Sequence, residues 1–144
     1  MCPAWGIYDV TPCRAPSAAA ASEYILELVT AYPSIREVWL FGSRANGLAT
    51  SESDWDYMAF ADDPTLRALS GDSRLHRAGI DLMIVTDSDN FGAPWKEGSR
   101  SKRGRLAKVD GGWHWTKRTA TRATYQASKG DFRPIERCAL RVYP

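Results

Sequence analysis

Three aspartates and one Gly-Ser pair carry most of the chemical content of this sequence. Asp54 and Asp56 sit two residues apart in "DWDYMAFA", and Asp81 interrupts the apolar run "GIDLMIV" at residues 79–85. In an extended strand that spacing puts Asp54, Asp56, Met58 and Phe60 on one face and Trp55, Tyr57 and Ala59 on the other. Like charges so close raise one another's pKa and destabilise a fold, and a third carboxylate from a neighbouring strand worsens the repulsion. A divalent cation reverses the sign, because hard oxygen ligands converging on Mg²⁺ are stabilised as anions. Gly42-Ser43 supplies a backbone that can approach phosphates closely and amide donors at the start of a predicted short helix. Metal ligands beside a phosphate turn imply phosphoryl chemistry. With two ions about 4 Å apart, one lowers the pKa of an attacking hydroxyl and the other stabilises departing pyrophosphate.

These residues need elements to position them. Residues 17–33 predict a helix, with Ser17 as cap, alanines favouring helix, Ile25, Leu28 and Val29 at helical spacing, and Pro33 beyond the end. "EVWLF", 37–41, predicts a strand that stops at Gly42-Ser43, and "SRANGLA" a brief helix broken at Asn46-Gly47. The Asp54 segment is the second strand, "DDPTLRALS" a short helix, and 79–85 the third strand, with Asp81 facing away from Ile80, Leu82 and Ile84. Residues 86–105 are rich in turn formers and read as loop containing at most a helical turn. Residues 106–120 read as a hairpin around Asp110-Gly111-Gly112, and "TRATYQASKG", 121–130, as a closing helix capped by Thr121 and stopped by Gly130.

"GSRANGLATSESDWD" resembles the signature of the polymerase-beta-like nucleotidyltransferases, in which Gly-Ser precedes Asp-x-Asp by about ten residues. Here residues 44–53, ten in number, separate them, and Ile80-Asp81-Leu82 matches the family's third carboxylate on a later apolar strand. The resemblance covers about residues 36–86, and the chain is similar in length to the minimal nucleotidyltransferases. It implies an α/β (α+β) fold: a small mixed β-sheet with helices packed on one face and an open active-site face on the other. It also implies roles. Gly42 and Ser43 would hold the β- and γ-phosphates, Arg44 would add a phosphate contact, Asp54 and Asp56 would bind both Mg²⁺ ions (or Mn²⁺), and Asp81 would bind the catalytic ion and help deprotonate the acceptor. The expected reaction moves NMP from an NTP, with ATP the expected donor, to a hydroxyl and releases pyrophosphate. Some small members act as antitoxins that nucleotidylate a helical partner toxin, so a partner protein is the first expected acceptor. The 3′ end of a tRNA is the second, and an aminoglycoside the last, since drug-modifying relatives usually carry an extra helical domain. A non-catalytic nucleotide- or partner-binding module is the alternative outside the enzymes.

Totals constrain the rest. At 144 residues and 44% apolar, the chain suits a single domain, expected over 17–144 after a flexible segment at 1–16. The net charge of +2 demands no polyanionic partner, but nine Lys/Arg against two Asp/Glu give 96–122 a charge of +7 and leave −5 elsewhere. Trp95, Trp113 and Trp115 interleave with those charges, a pattern compatible with RNA, although alternation sets Trp113 and Trp115 on one face as packing residues and His114 on the other. His76 and His114 have no partners in sequence, and Cys2, Cys13 and Cys138 form no metal-binding pattern and read as free or packed thiols of a reduced, cytoplasmic chain. No apolar run reaches the roughly 18 residues of a membrane span, and no export signal is read.

Overall fold

A computed structural model describes residues 19–86, 90–95, 103–107, 113–126 and 137–144. The expected Ser17 cap, the flexible 1–16 segment and the turn at 108–112 lie outside these residues. Helix α1 spans Ala19–Ala31 and buries Tyr24, Ile25, Leu28 and Val29, a stripe at helical spacing. Strands β1 (Glu37–Phe41), β2 (Trp55–Phe60) and β3 (Ile80–Val85) fall where the apolar runs predict them. Helix α2 (Asp63–Ser70) joins β2 to β3, which pair in parallel, the geometry that requires a crossover connection. Its start is capped by Asp62, whose Oδ1 accepts from Thr65 N at 2.9 Å, and Pro64 follows within the first turn.

The remaining strands are β4 (Asn90–Gly92), β5 (Arg103–Ala107), β6 (Trp113–Lys117), β7 (Arg122–Gln126) and β8 (Arg137–Tyr143). The sheet is mixed: β2–β3 and β5–β6 are parallel, the other neighbours antiparallel, and β8 returns to β1, so that the ladder closes on itself. Three expectations change here. β4 and the start of β5 occupy 86–105, where a loop was expected, because the turn-rich composition hides very short strands whose pairing with β3 and β6 no local alternation announces. β5 and β6 lie side by side but in parallel, not as a hairpin. Residues 122–126 form a strand, not the start of a helix, held between β6 and β8 with Ala123, Thr124 and Tyr125 buried.

Two cores flank the sheet. Tyr57, Ala59, Leu82 and Ile84 pack under α1 with Tyr24, Ile25 and Leu28. On the opposite face Trp39, Phe41, Met58, Met83 and Val85 pack against Ala123, Tyr125 and Ala139. That face was expected to be open; among the described residues the last strands pack against it. Trp115 belongs to this second core, 5.3 Å from Trp39 and 5.8 Å from Phe60, so it packs and is not a base-stacking platform. His76 does find a partner, stacking on Trp95 at 5.0 Å and 4°. Cys138 on β8 is disulfide-bonded, which replaces the expected free thiol, and no cysteine is free among the described residues. No helix among the described residues is long and apolar enough to cross a membrane.

Candidate active site

The parallel register of β2 and β3 sets Asp56 directly beside Asp81, and the antiparallel register of β1 sets Phe41 beside Asp56. All three side chains therefore point to the same face, at the end of β1 where the chain turns into Gly42. Asp56 and Asp81 are half-buried, whereas Asp54, just before β2, is exposed. Asp56 and Asp81 are thus neighbours in register, with Asp54 two residues earlier in the chain, before the strand begins. Among the described residues no group of three or more His, Cys, Asp or Glu side chains is close enough to form a metal cage by itself.

Gly42 links the turn after β1 to the carboxylates. Its φ of 72° lies in the region that L side chains rarely adopt, and a Cβ there would lie 2.1 Å from Asp56 Oδ2. Only glycine lets the backbone pass so close to that carboxylate. A single turn of 3₁₀ helix, Ser43–Ala45, follows and stops at Asn46, where the brief helix of "SRANGLA" was expected to break. Asn46 is fully buried: its Nδ2 donates to Gly42 O at 2.7 Å and to Cys138 O at 3.0 Å, and its Oδ1 accepts from Cys138 N at 2.7 Å. Gly42 N donates to the Tyr125 hydroxyl at 2.9 Å. Burial raises the Tyr125 pKa and the nearby Asp56 charge adds to that, while the Gly42 amide opposes both. Neither Tyr125, placed in a predicted helix, nor Asn46, read as a helix breaker, was singled out from sequence. The strand-forming "ATY" at 123–125 was the available signal for the first.

Arg44, expected to add a phosphate contact, is engaged with the segment around Asp54. Its Nε and Nη2 donate to Ser53 O at 3.1 and 2.8 Å, and its guanidinium lies 4.2 Å from the Trp55 ring centroid. It thereby grips the residues on either side of Asp54. Trp55 stacks on Tyr57 at 6.4 Å and Tyr57 in turn on Tyr24 at 6.3 Å, both at 15°, so the grip is backed by the helix-side core. The segment before Asp54 is knitted locally, with Ser53 N donating to Thr50 O at 3.2 Å and Thr50 N to Ser53 Oγ at 2.9 Å.

A cavity of about 440 Å³ lies on the outside of α1, lined by Glu23, Leu26, Glu27 and Arg74 among others, and shares no residue with this rim. In the basic stretch, Lys117 pairs with Glu37 at 3.2 Å and Arg118 Nε donates to Thr124 Oγ1 at 3.1 Å.

No curated protein matches the chain. The model of the nucleotidyltransferase domain matches residues 21–124, well over half of the 144, and covers Gly42, Ser43, Asp54, Asp56 and Asp81. The chain belongs to the nucleotidyltransferase domain family, within the polymerase-beta-like superfamily.

Proposed function

We propose that the protein transfers a nucleoside monophosphate from an NTP, with ATP the expected donor, to a hydroxyl on a macromolecule and releases pyrophosphate. The observation that carries this reading is the contact between Gly42 and Asp56: the phosphate turn and the carboxylate pair form one surface, with no room for a side chain between them. The donor set fits a hard divalent cation, because Mg²⁺ is commonly held by one or two carboxylates together with substrate phosphates, so a complete protein cage is not required. Asp56 and Asp81, side by side in register, would hold it together with the substrate's phosphates, with exposed Asp54 the further candidate ligand and Mn²⁺ an alternative ion, and once bound it would supply a Lewis acid for the α-phosphate and the departing pyrophosphate.

The chain's own groups have separate tasks. Gly42 and Ser43 shape the seat of the triphosphate tail. Arg44, through Ser53 and Trp55, keeps Asp54 at the rim. Asp81 accepts the proton of the attacking hydroxyl as its oxygen bonds to the α-phosphorus and the bond to the β-phosphate bridging oxygen breaks. A partner protein, as for an antitoxin acting on a helical toxin, is the first acceptor class in this reading. The +7 charge of 96–122 favours RNA as the second.

Purified protein incubated with Mg²⁺, α-labelled NTPs and cell lysate tests the reading, beside an Asp54→Ala, Asp56→Ala variant. Label on protein supports the first acceptor class and label on RNA the second. No transfer, with partner binding unchanged in the variant, leaves a binding module and sinks the enzyme.

A further inference from the structure

Gly42 is held on both sides by residues other than the motif's Gly-Ser and Asp-x-Asp. Its N–H donates to the Tyr125 hydroxyl and its C=O accepts from Asn46 Nδ2. Asn46 is tied in turn to both backbone groups of Cys138 on β8. Tyr125 and Cys138 lie beyond the residues 21–124 that the family model matches. The Tyr125 ring cannot easily swing aside: it is 4% exposed, edge-on to Phe41 at 5.8 Å and stacked on Trp115 at 6.4 Å. A hydroxyl fixed in this way occupies the Gly42 amide. The Ser43 hydroxyl, by contrast, makes no hydrogen bond with the described residues and sits half-buried at the rim.

The geometry points to Tyr125 and Asn46 as positioning residues that clamp the Gly42 peptide from the C-terminal strands, so that Gly42 gives the triphosphate shape and not a hydrogen bond, and the donors begin at Ser43. This rests on the nucleotide-transfer reading above. The C-terminal strands are then part of the active site's construction, and a chain cut after the family-matched residues would lose the clamp although it kept every motif residue.

Two measurements on the full chain test the clamp. In the wild type, titrating MgATP or inorganic triphosphate into ¹⁵N-labelled protein should shift the Ser43 amide resonance strongly and leave that of Gly42 nearly in place. A merely structural tyrosine predicts no such split, and a large Gly42 shift would overturn the proposal. In Tyr125→Phe, which keeps the ring packing, exchange of the Gly42 amide should quicken by about tenfold or more, and affinity for both ligands should fall by a similar factor. Unchanged or tighter binding by the variant overturns the clamp, the tighter case because the freed amide would then be a phosphate ligand. A wild type that binds neither ligand defeats the nucleotide reading, and the clamp's role with it. Gly42 exchange then still reports whether the hydrogen bond exists, so the two failures are told apart.

Discussion

Gly42 and Asp56 are in contact across the mouth of β1 and β2: a methyl group on the first would lie 2.1 Å from Oδ2 of the second. Gly42→Ala should therefore lose nucleotide binding and transfer and lower stability by about 1–3 kcal/mol, combining positive-φ strain with the collision. Thermal melting reads the loss. In an Asp56→Ala background the same change should cost about 1 kcal/mol less, since the strain and a 3.3 Å approach to the remaining Cβ are left once the carboxylate is gone, and a strictly additive double-mutant cycle would contradict the contact.

Adding Mg²⁺ to the nucleotide-free protein should raise its melting temperature. At about ten times the dissociation constant, linkage stabilises by ~1.4 kcal/mol, a rise of about 4 °C for a domain of this size. The Asp54→Ala, Asp56→Ala variant should show no rise. An equal rise in both proteins would place any bound ion elsewhere.

Arg44 should prove sensitive even to lysine. The fork on Ser53 O and the planar contact with Trp55 need a guanidinium, so Arg44→Lys should retain less than half of the contribution lost in Arg44→Ala, which we expect to be about 1–2 kcal/mol. Limited proteolysis should find the 49–54 segment cut faster in both variants. Full rescue of stability and protease resistance by lysine would show that charge alone matters.

Acid stability should depend on Asp72. Arg74 hydrogen-bonds its carboxylate and the Tyr32 hydroxyl donates to it at 2.6 Å, and together they hold its pKa below the usual carboxylate range. A depressed folded-state pKa gives stability that is fully present above the unfolded value of about 3.9 and is lost as pH falls toward the folded value. The advantage of wild type over Asp72→Asn in urea midpoints should therefore be flat from pH 7 to about 5 and shrink below about 4. An advantage that grew on acidification would reverse the sign and refute the assignment.

The part of the site built from neighbouring segments was legible in the sequence. Alternation in "DWDYMAF" placed Asp56 with Met58 and Phe60, and the apolar run around Asp81 supplied its partner strand, so the shared face followed from a period of two. Helices α1 and α2 were legible for similar local reasons, an apolar stripe in one and an Asp-Pro start in the other. What sequence hid depends on distant pairing. Thr121 and Gly130 imitate helix ends, yet Tyr125 becomes a strand residue because β6 and β8 take up its backbone on either side. Arg44 follows the phosphate turn in sequence but is drawn to Ser53 and Trp55, a preference visible only once the loop has closed. Asn46 looks like a turn residue until Cys138, 92 positions later, arrives to be clasped by it.

The closed ladder from β1 round to β8 also bears on how an acceptor arrives. Sheets with a free border can recruit a polypeptide as an added strand, whereas here each described strand already has a neighbour on both sides. Under the proposed reaction, a protein acceptor would therefore be recognised through side chains and loops and not by strand addition, so that a few substitutions there would exchange one client for another without disturbing the scaffold beneath.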